Sequence, residues 1–80
     1  MTRSEIYAAI EDERQNQDAE FGGPSHDDDH DRYAWVAFIT KHLGRTVTGG
    51  RDQFRKQMIR VAALAVAAIE WGERNPRRLH

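Results

Sequence analysis

FRKQMIRVAALAVAAIEW, running from Phe54 to Trp71, is the one segment of this chain apolar enough to sit in the middle of a fold. Nine consecutive residues within it, Val61 to Ile69, carry no charge. At 100° per residue around a helix axis, one arc holds Trp71, Leu64, Ala68, Val61, Phe54 and Met58. It continues through Ala65, Ile69, Ala62, Ile59 and Val66. That arc spans roughly 240°, against the ~100° stripe of a surface helix. A helix with so much apolar surface needs neighbours on two or more sides, and the five alanines between 62 and 68 let them come close. The remaining strip is polar and holds Lys56, Arg60, Glu70 and Arg74. The apolar run is shorter than the about 20 residues that span a membrane. Charge flanks it on both sides, so it reads as the buried helix of a soluble protein.

The rest of the chain is arranged before this helix. Thr48-Gly49-Gly50-Arg51 makes the turn into it, with Asp52 as the expected cap, and Asn75-Pro76 stops it. Upstream, a second helix carries an apolar stripe of Trp35, Val36, Ile39 and Leu43, with Val47 at its end and Phe38 and His42 flanking. Its other side, with Ala34, Ala37 and Gly44 beside Lys41 and Arg45, offers room for a close contact. A first helix is capped by Thr2 or Ser4 and shows Ile6, Tyr7 and Ile10 as its apolar side. Beyond Ile10 it turns into EDERQNQDAE, so it docks partly, through polar contacts. Gly22-Gly23-Pro24-Ser25 ends it. The expectation is an all-α subunit with helices over about 4–20, 31–46 and 52–74, a single domain over 1–75 and a flexible tail over 76–80.

Eighty residues without cysteine make one domain with a marginal core and no disulfides or thiolate metal site. Oligomerisation is the remaining route to stability, so a homo-oligomer, a dimer or larger, is expected. No signal-peptide pattern opens the sequence, and a cytoplasmic location is expected. The net charge of −1 hides an asymmetry. Residues 1–31 hold ten acids against Arg3 and Arg14, a balance of −8, while residues 32–80 hold ten Lys and Arg against Asp52, Glu70 and Glu73, a balance of +7. Either the halves pack together and neutralise each other, or the basic half presents an anion site. The acidic half disfavours nucleic acid as a partner.

The densest set of potential metal ligands is His26-Asp27-Asp28-Asp29-His30-Asp31. His26, Asp27, Asp28 and His30 are the candidate ligands: aspartates suit a hard cation, histidines a transition metal. The competing reading is that these aspartates cap the second helix and meet the positive end of its dipole.

Glu13-Arg14, Gln17-Asp18, Phe21-Gly22-Gly23, His26-Asp27-Asp28 and His30 together resemble a run found in small phage and prophage proteins. The segment from Phe54 to Glu70, closing near Glu73-Arg74, is similar to their final helix. Those proteins in turn resemble the MazG-like, all-α nucleoside triphosphate pyrophosphohydrolases. In such enzymes, carboxylates on two helices hold Mg²⁺, which bridges the triphosphate and helps activate water. By motif position, the carboxylates fall here on Lys41, His42 and Arg45 of one helix and on Gln57 and Arg60 of the next. None is an acid, and a site of this charge repels Mg²⁺. The resemblance with this departure implies a non-catalytic relative, a pseudoenzyme.

Lys41 and Arg45, four apart, share a helix face, and the helix pairing that the resemblance implies would set Arg60 opposite. Lys41, His42, Arg45, Lys56 and Arg60 are therefore the expected ligand-binding set, a basic groove between helices two and three. It would hold a nucleotide or other phosphorylated ligand without a metal. In a phage setting, such a protein sequesters a nucleotide signal of host defence. Competing readings of the same residues are that Lys41 and Arg45 are simply solvated, that Arg60 pairs with an acid of the first helix, and that Gln57 makes a buried hydrogen bond. Two other functions stand beside this one. The first is a protein-binding module that inhibits a host complex through its acidic N-terminal half. The second is a metal-dependent hydrolase using Glu13, Asp18, His26, Asp27, Asp28 or His30. No cofactor is expected apart from a divalent metal at the His/Asp cluster.

Overall fold

A computed structural model of the 80-residue chain describes residues 1–23 and 30–79. Three helices account for most of them: α1 (Arg3–Phe21), α2 (Arg32–Arg45) and α3 (Arg51–Arg74), followed by a 3₁₀ turn at Pro76–Leu79. Among the described residues there is no strand, and no helix is long and apolar enough to cross a membrane. The central helix, α3, packs against both α1 and α2.

Local chemistry sets the helix ends. Thr2 and Glu5 form a capping box at α1: the Glu5 N–H donates to the Thr2 hydroxyl at 3.2 Å, and the Thr2 N–H donates to Glu5 Oε1 at 2.9 Å. Gly22, at φ 93°, takes the left-handed turn that ends α1, and its N–H closes on the Asp18 carbonyl. Asp31 caps α2 by accepting from the Ala34 N–H at 2.9 Å. For α3 the cap differs from expectation. Gly50 occupies that position without a side-chain bond, and Asp52 lies inside the first turn, where its charge meets the helix dipole. A side chain at Gly49 would collide with Gln53, so the turn requires glycine there.

The Thr2 hydrogen bonds, first from its backbone N–H and then from its side chain, hold the Glu5 carboxyl below its ordinary range. A carboxyl lowered in the folded state stabilises the fold fully above its unfolded pKa and loses that contribution as pH falls through the folded one. The first turn of α1 is therefore expected to fray selectively at acid pH, and Glu5→Gln to fray it at neutral pH. Amide exchange at Ser4, Glu5 and Ile6 measures this; protection independent of pH and of the substitution would exclude it.

The buried side of α3 consists of Gln57, Ala63, Ala67, Trp71 and Gly72. Trp35 of α2 completes the core with Ala67 and Trp71, and Leu64 and Ala68 pack against it. The two indoles lie 6.4 Å apart, tilted by 54°. This differs from the 240° apolar arc in a definite way. Ala63 and Ala67, which lie among the charged residues of the polar strip, turn inward, while Phe54, Val66 and Ile69 of the apolar arc stay exposed. Charge explains the rotation, because the polar strip of α3 meets the polar stripe of α1. Arg14 Nη2 reaches Glu70 at 3.3 Å, and Arg60 Nε reaches Glu13 at 3.6 Å. The acidic and basic halves thus pair across the α1–α3 contact.

α2 is rotated too. Trp35, Ile39, His42 and Thr46 turn toward the interior, whereas Val36 (62% exposed), Leu43 and Val47 stay in solvent. The hydrogen bond from His42 to Gln57 and the ring packing of Trp35 hold α2 at this angle.

Candidate functional site

Since α1 and α2 both lie on α3, a cleft of about 610 Å³ opens between them. Arg60, Leu64 and Ala67 of α3 line its floor. Positions 60, 64 and 67 recur at i, i+4 and i+7, so they share one face of the helix. The α2 wall is Trp35, Phe38, Lys41 and His42. Glu13, Arg14, Gln17 and Asp18 form the α1 wall, again at helical spacing, with Asn16 and Glu20 at its edge.

The α2 wall is aromatic at one end and polar at the other. His30, Trp35 and Phe38 meet edge to face, with centroids 5.8 Å apart for His30–Trp35, 5.1 Å for His30–Phe38 and 6.1 Å for Trp35–Phe38. Trp35 is 5% exposed, and its indole N–H is buried without a hydrogen-bond partner among the described residues. Such a group forgoes about 1–3 kcal/mol. At the polar end, His42 Nδ1 lies 2.9 Å from Gln57 Oε1. The amide oxygen only accepts, so the proton sits on Nδ1, and Nε2 is the ring position left for the cleft.

The α1 wall is a lattice of ion pairs. Arg14, 11% exposed, bonds Asp18 at 3.0 Å and Gln17 Oε1 at 3.4 Å as well as Glu70. Glu13 accepts from Gln17 and faces Arg60. Of the three formal cations lining the cleft, Arg14 and Arg60 are held by carboxylates. Lys41 is exposed and has no ion pair among the described residues.

The five expected ligand-binding residues divide. Lys41, His42 and Arg60 line this one cleft. Lys56 lies in a second, shallower groove with Arg55 and Arg60, and Arg45 lines neither. Gln57, which the resemblance sets among the lost carboxylates, is a buried structural partner, 1% exposed. The basic groove expected between two helices is instead bounded by all three. Glu13, Asp18 and Glu20 balance Arg14, Lys41 and Arg60, so the lining is close to neutral with the imidazoles uncharged. Of the α1 wall, sequence reasoning named Glu13 and Asp18, as metal ligands of a hydrolase, and missed Arg14 and Gln17. The available signal was the spacing of Ile10, Glu13, Arg14, Gln17 and Asp18, a helical stripe made almost wholly of polar residues.

Of the candidate metal ligands, His26, Asp27 and Asp28 lie outside the described residues. His30 packs against the aromatic wall. Among the described residues, no three His, Asp or Glu side chains form a metal-holding group. Set against protein-family models, curated proteins and solved structures, the chain finds no match.

Proposed function

We propose that the cleft binds a small phosphorylated ligand carrying a ring, in the class of a nucleoside monophosphate or cyclic nucleotide, without hydrolysing it. The observation that carries this reading is Lys41, an unpaired cation beside His42, on the same wall as Trp35 and Phe38. A base can lie against the aromatic end. Its phosphate meets Lys41. Glu13, Asp18 and Glu20 disfavour ligands of high negative charge, which argues for one phosphate rather than three. Basic residues at the positions where MazG-like enzymes carry acids support binding without catalysis. Sequestration of such a signal in the host cytoplasm by a phage-type protein is the biological form of this reading.

Calorimetric titration with nucleoside monophosphates, cyclic nucleotides, a bare nucleoside and inorganic phosphate tests it. The nucleotides are expected to bind more tightly than either fragment. Lys41→Glu, at an exposed position, is expected to weaken binding about tenfold or more with unchanged helicity, a difference of about 1.4 kcal/mol. Absence of binding by every nucleotide, or unchanged affinity in Lys41→Glu, would sink the proposal.

One observation favours the protein-binding alternative. Met1, Ile6 (39% exposed) and Tyr7 (64% exposed) stand in solvent at the start of the acidic helix. In that case no nucleotide binds, and Ile6→Ser with Tyr7→Ser abolishes recovery of a partner from host lysate.

A further inference from the structure

We infer that the outer face of α3 is a self-complementary surface on which a second copy of this chain docks antiparallel, across a two-fold axis. The intramolecular fold uses one side of α3. On the other side, Phe54 (54% exposed), Val66 (40%) and Ile69 (65%) stand in solvent, with half-buried Met58, Ala62 and Ala65 between them. At 100° per residue these six fall within an arc of about 120°, the width of a helix-packing stripe. Val36 and Leu43 of α2 are exposed as well and do not line the cleft.

The order of residues along this stripe names the partner. Two copies of α3 crossing antiparallel at the Ala63–Leu64 bond bring Ala62 of one against Ala65 of the other. The same register sets Met58 against Ile69. Small residues thus fall at the crossing point, where helix axes come closest, and larger ones fall outward. The flanks agree. Arg55 and Glu73 are 18 residues apart, five helical turns, so they lie on the same edge of the stripe at opposite ends. Both are exposed, and neither has an ion pair within its own chain among the described residues. In the antiparallel pair, Arg55 of each copy comes beside Glu73 of the other. A parallel pair would leave Arg55 of one copy about 27 Å along the axis from Glu73 of the other, at 1.5 Å per residue. The charges therefore select both the partner and its direction. The cleft lies on the opposite side of α3, so this contact and the ligand reading stand or fall separately.

Sedimentation velocity over a concentration series is expected to show a dimer. Ala65→Glu, at the crossing, is expected to give a monomer whose far-UV spectrum stays helical. Arg55→Glu is expected to raise the dimer dissociation constant about tenfold, and Arg55→Glu combined with Glu73→Arg to restore it. Because the chain has no cysteine, crosslinking reads the direction. Ala65→Cys is expected to form a covalent dimer on oxidation. Phe54→Cys is not, since the two copies of position 54 lie about 28 Å apart along the antiparallel axes, at 1.5 Å per residue. A monomer at every concentration, an undisturbed dimer in Ala65→Glu, or crosslinking of Phe54→Cys as ready as that of Ala65→Cys would overturn the inference.

Discussion

Trp71→Ala is expected to remove most of the stability of this chain. Trp71 is 1% exposed and packs against Trp35 at the meeting of α2 and α3. Truncating a buried tryptophan to alanine costs about 3–5 kcal/mol, from lost transfer energy and from the cavity left behind. A chain of this size has about 4–12 kcal/mol in all. Among the described residues the buried hydrophobic side chains are only Trp35, Ala63, Ala67 and Trp71, so little else there can compensate. The alanine variant should lose its cooperative thermal transition, or melt below about 35 °C, in far-UV circular dichroism. Trp71→Phe should keep the transition at a lower temperature. A midpoint for Trp71→Ala within a few degrees of the parent would show that the hub of the fold lies elsewhere.

Gln57→Leu should be the next most damaging change, although leucine nearly matches glutamine in volume. Gln57 is 1% exposed, and its oxygen is the partner of His42. Leucine fills the space and leaves the imidazole N–H facing a hydrocarbon. An orphaned polar group costs about 1–3 kcal/mol, with the lower part of that range apt here because His42 is only half-buried. For a domain of this length the midpoint should fall by about 4–8 °C per kcal/mol. Combining it with His42→Leu should recover part of the loss, because both polar groups are then gone. Equal midpoints for the parent and Gln57→Leu would remove the hydrogen bond from the account of how α2 is held.

How much of this was readable in the sequence depends on the element. α3 was legible because nine uncharged residues in a row admit few other readings. Its orientation was not. Alanine weighs little in an apolar pattern, so Ala63 and Ala67 fell among the charged residues of the polar strip, yet they lie on the inner face. What turns them inward is the pairing of Arg60 with Glu13 and of Glu70 with Arg14, the latter 56 positions apart, and no local pattern shows such a pair. Only the opposite charge of the two halves hinted at it. Gln57 inside the apolar arc signalled a buried hydrogen bond, and His42 at the edge of the preceding helix supplies it. In the cleft, the wall bearing Lys41 and His42 could be read from the sequence. The α1 wall could not, because acids that neutralise a distant arginine look the same as acids that meet water. The rotation of α2 was hidden for a related reason: valine and leucine at 36, 43 and 47 carry more apolar weight than histidine at 42, but histidine has the buried partner.

The long reach of Arg14 bears on the sequence of events during synthesis. The ribosome delivers α1 well before the part of α3 that holds Arg60 and Glu70, so the first helix waits without its dock. It is suited to waiting. The Thr2–Glu5 box, Arg14 with Asp18, and Gln15 with Glu11 satisfy its side chains within its own turns. Its surplus of negative charge keeps nascent neighbours apart. α2 and α3 are joined by a short turn and come together through near-neighbour contacts, which form fastest. α1 is then expected to dock last, onto the finished hairpin, drawn by opposite charge.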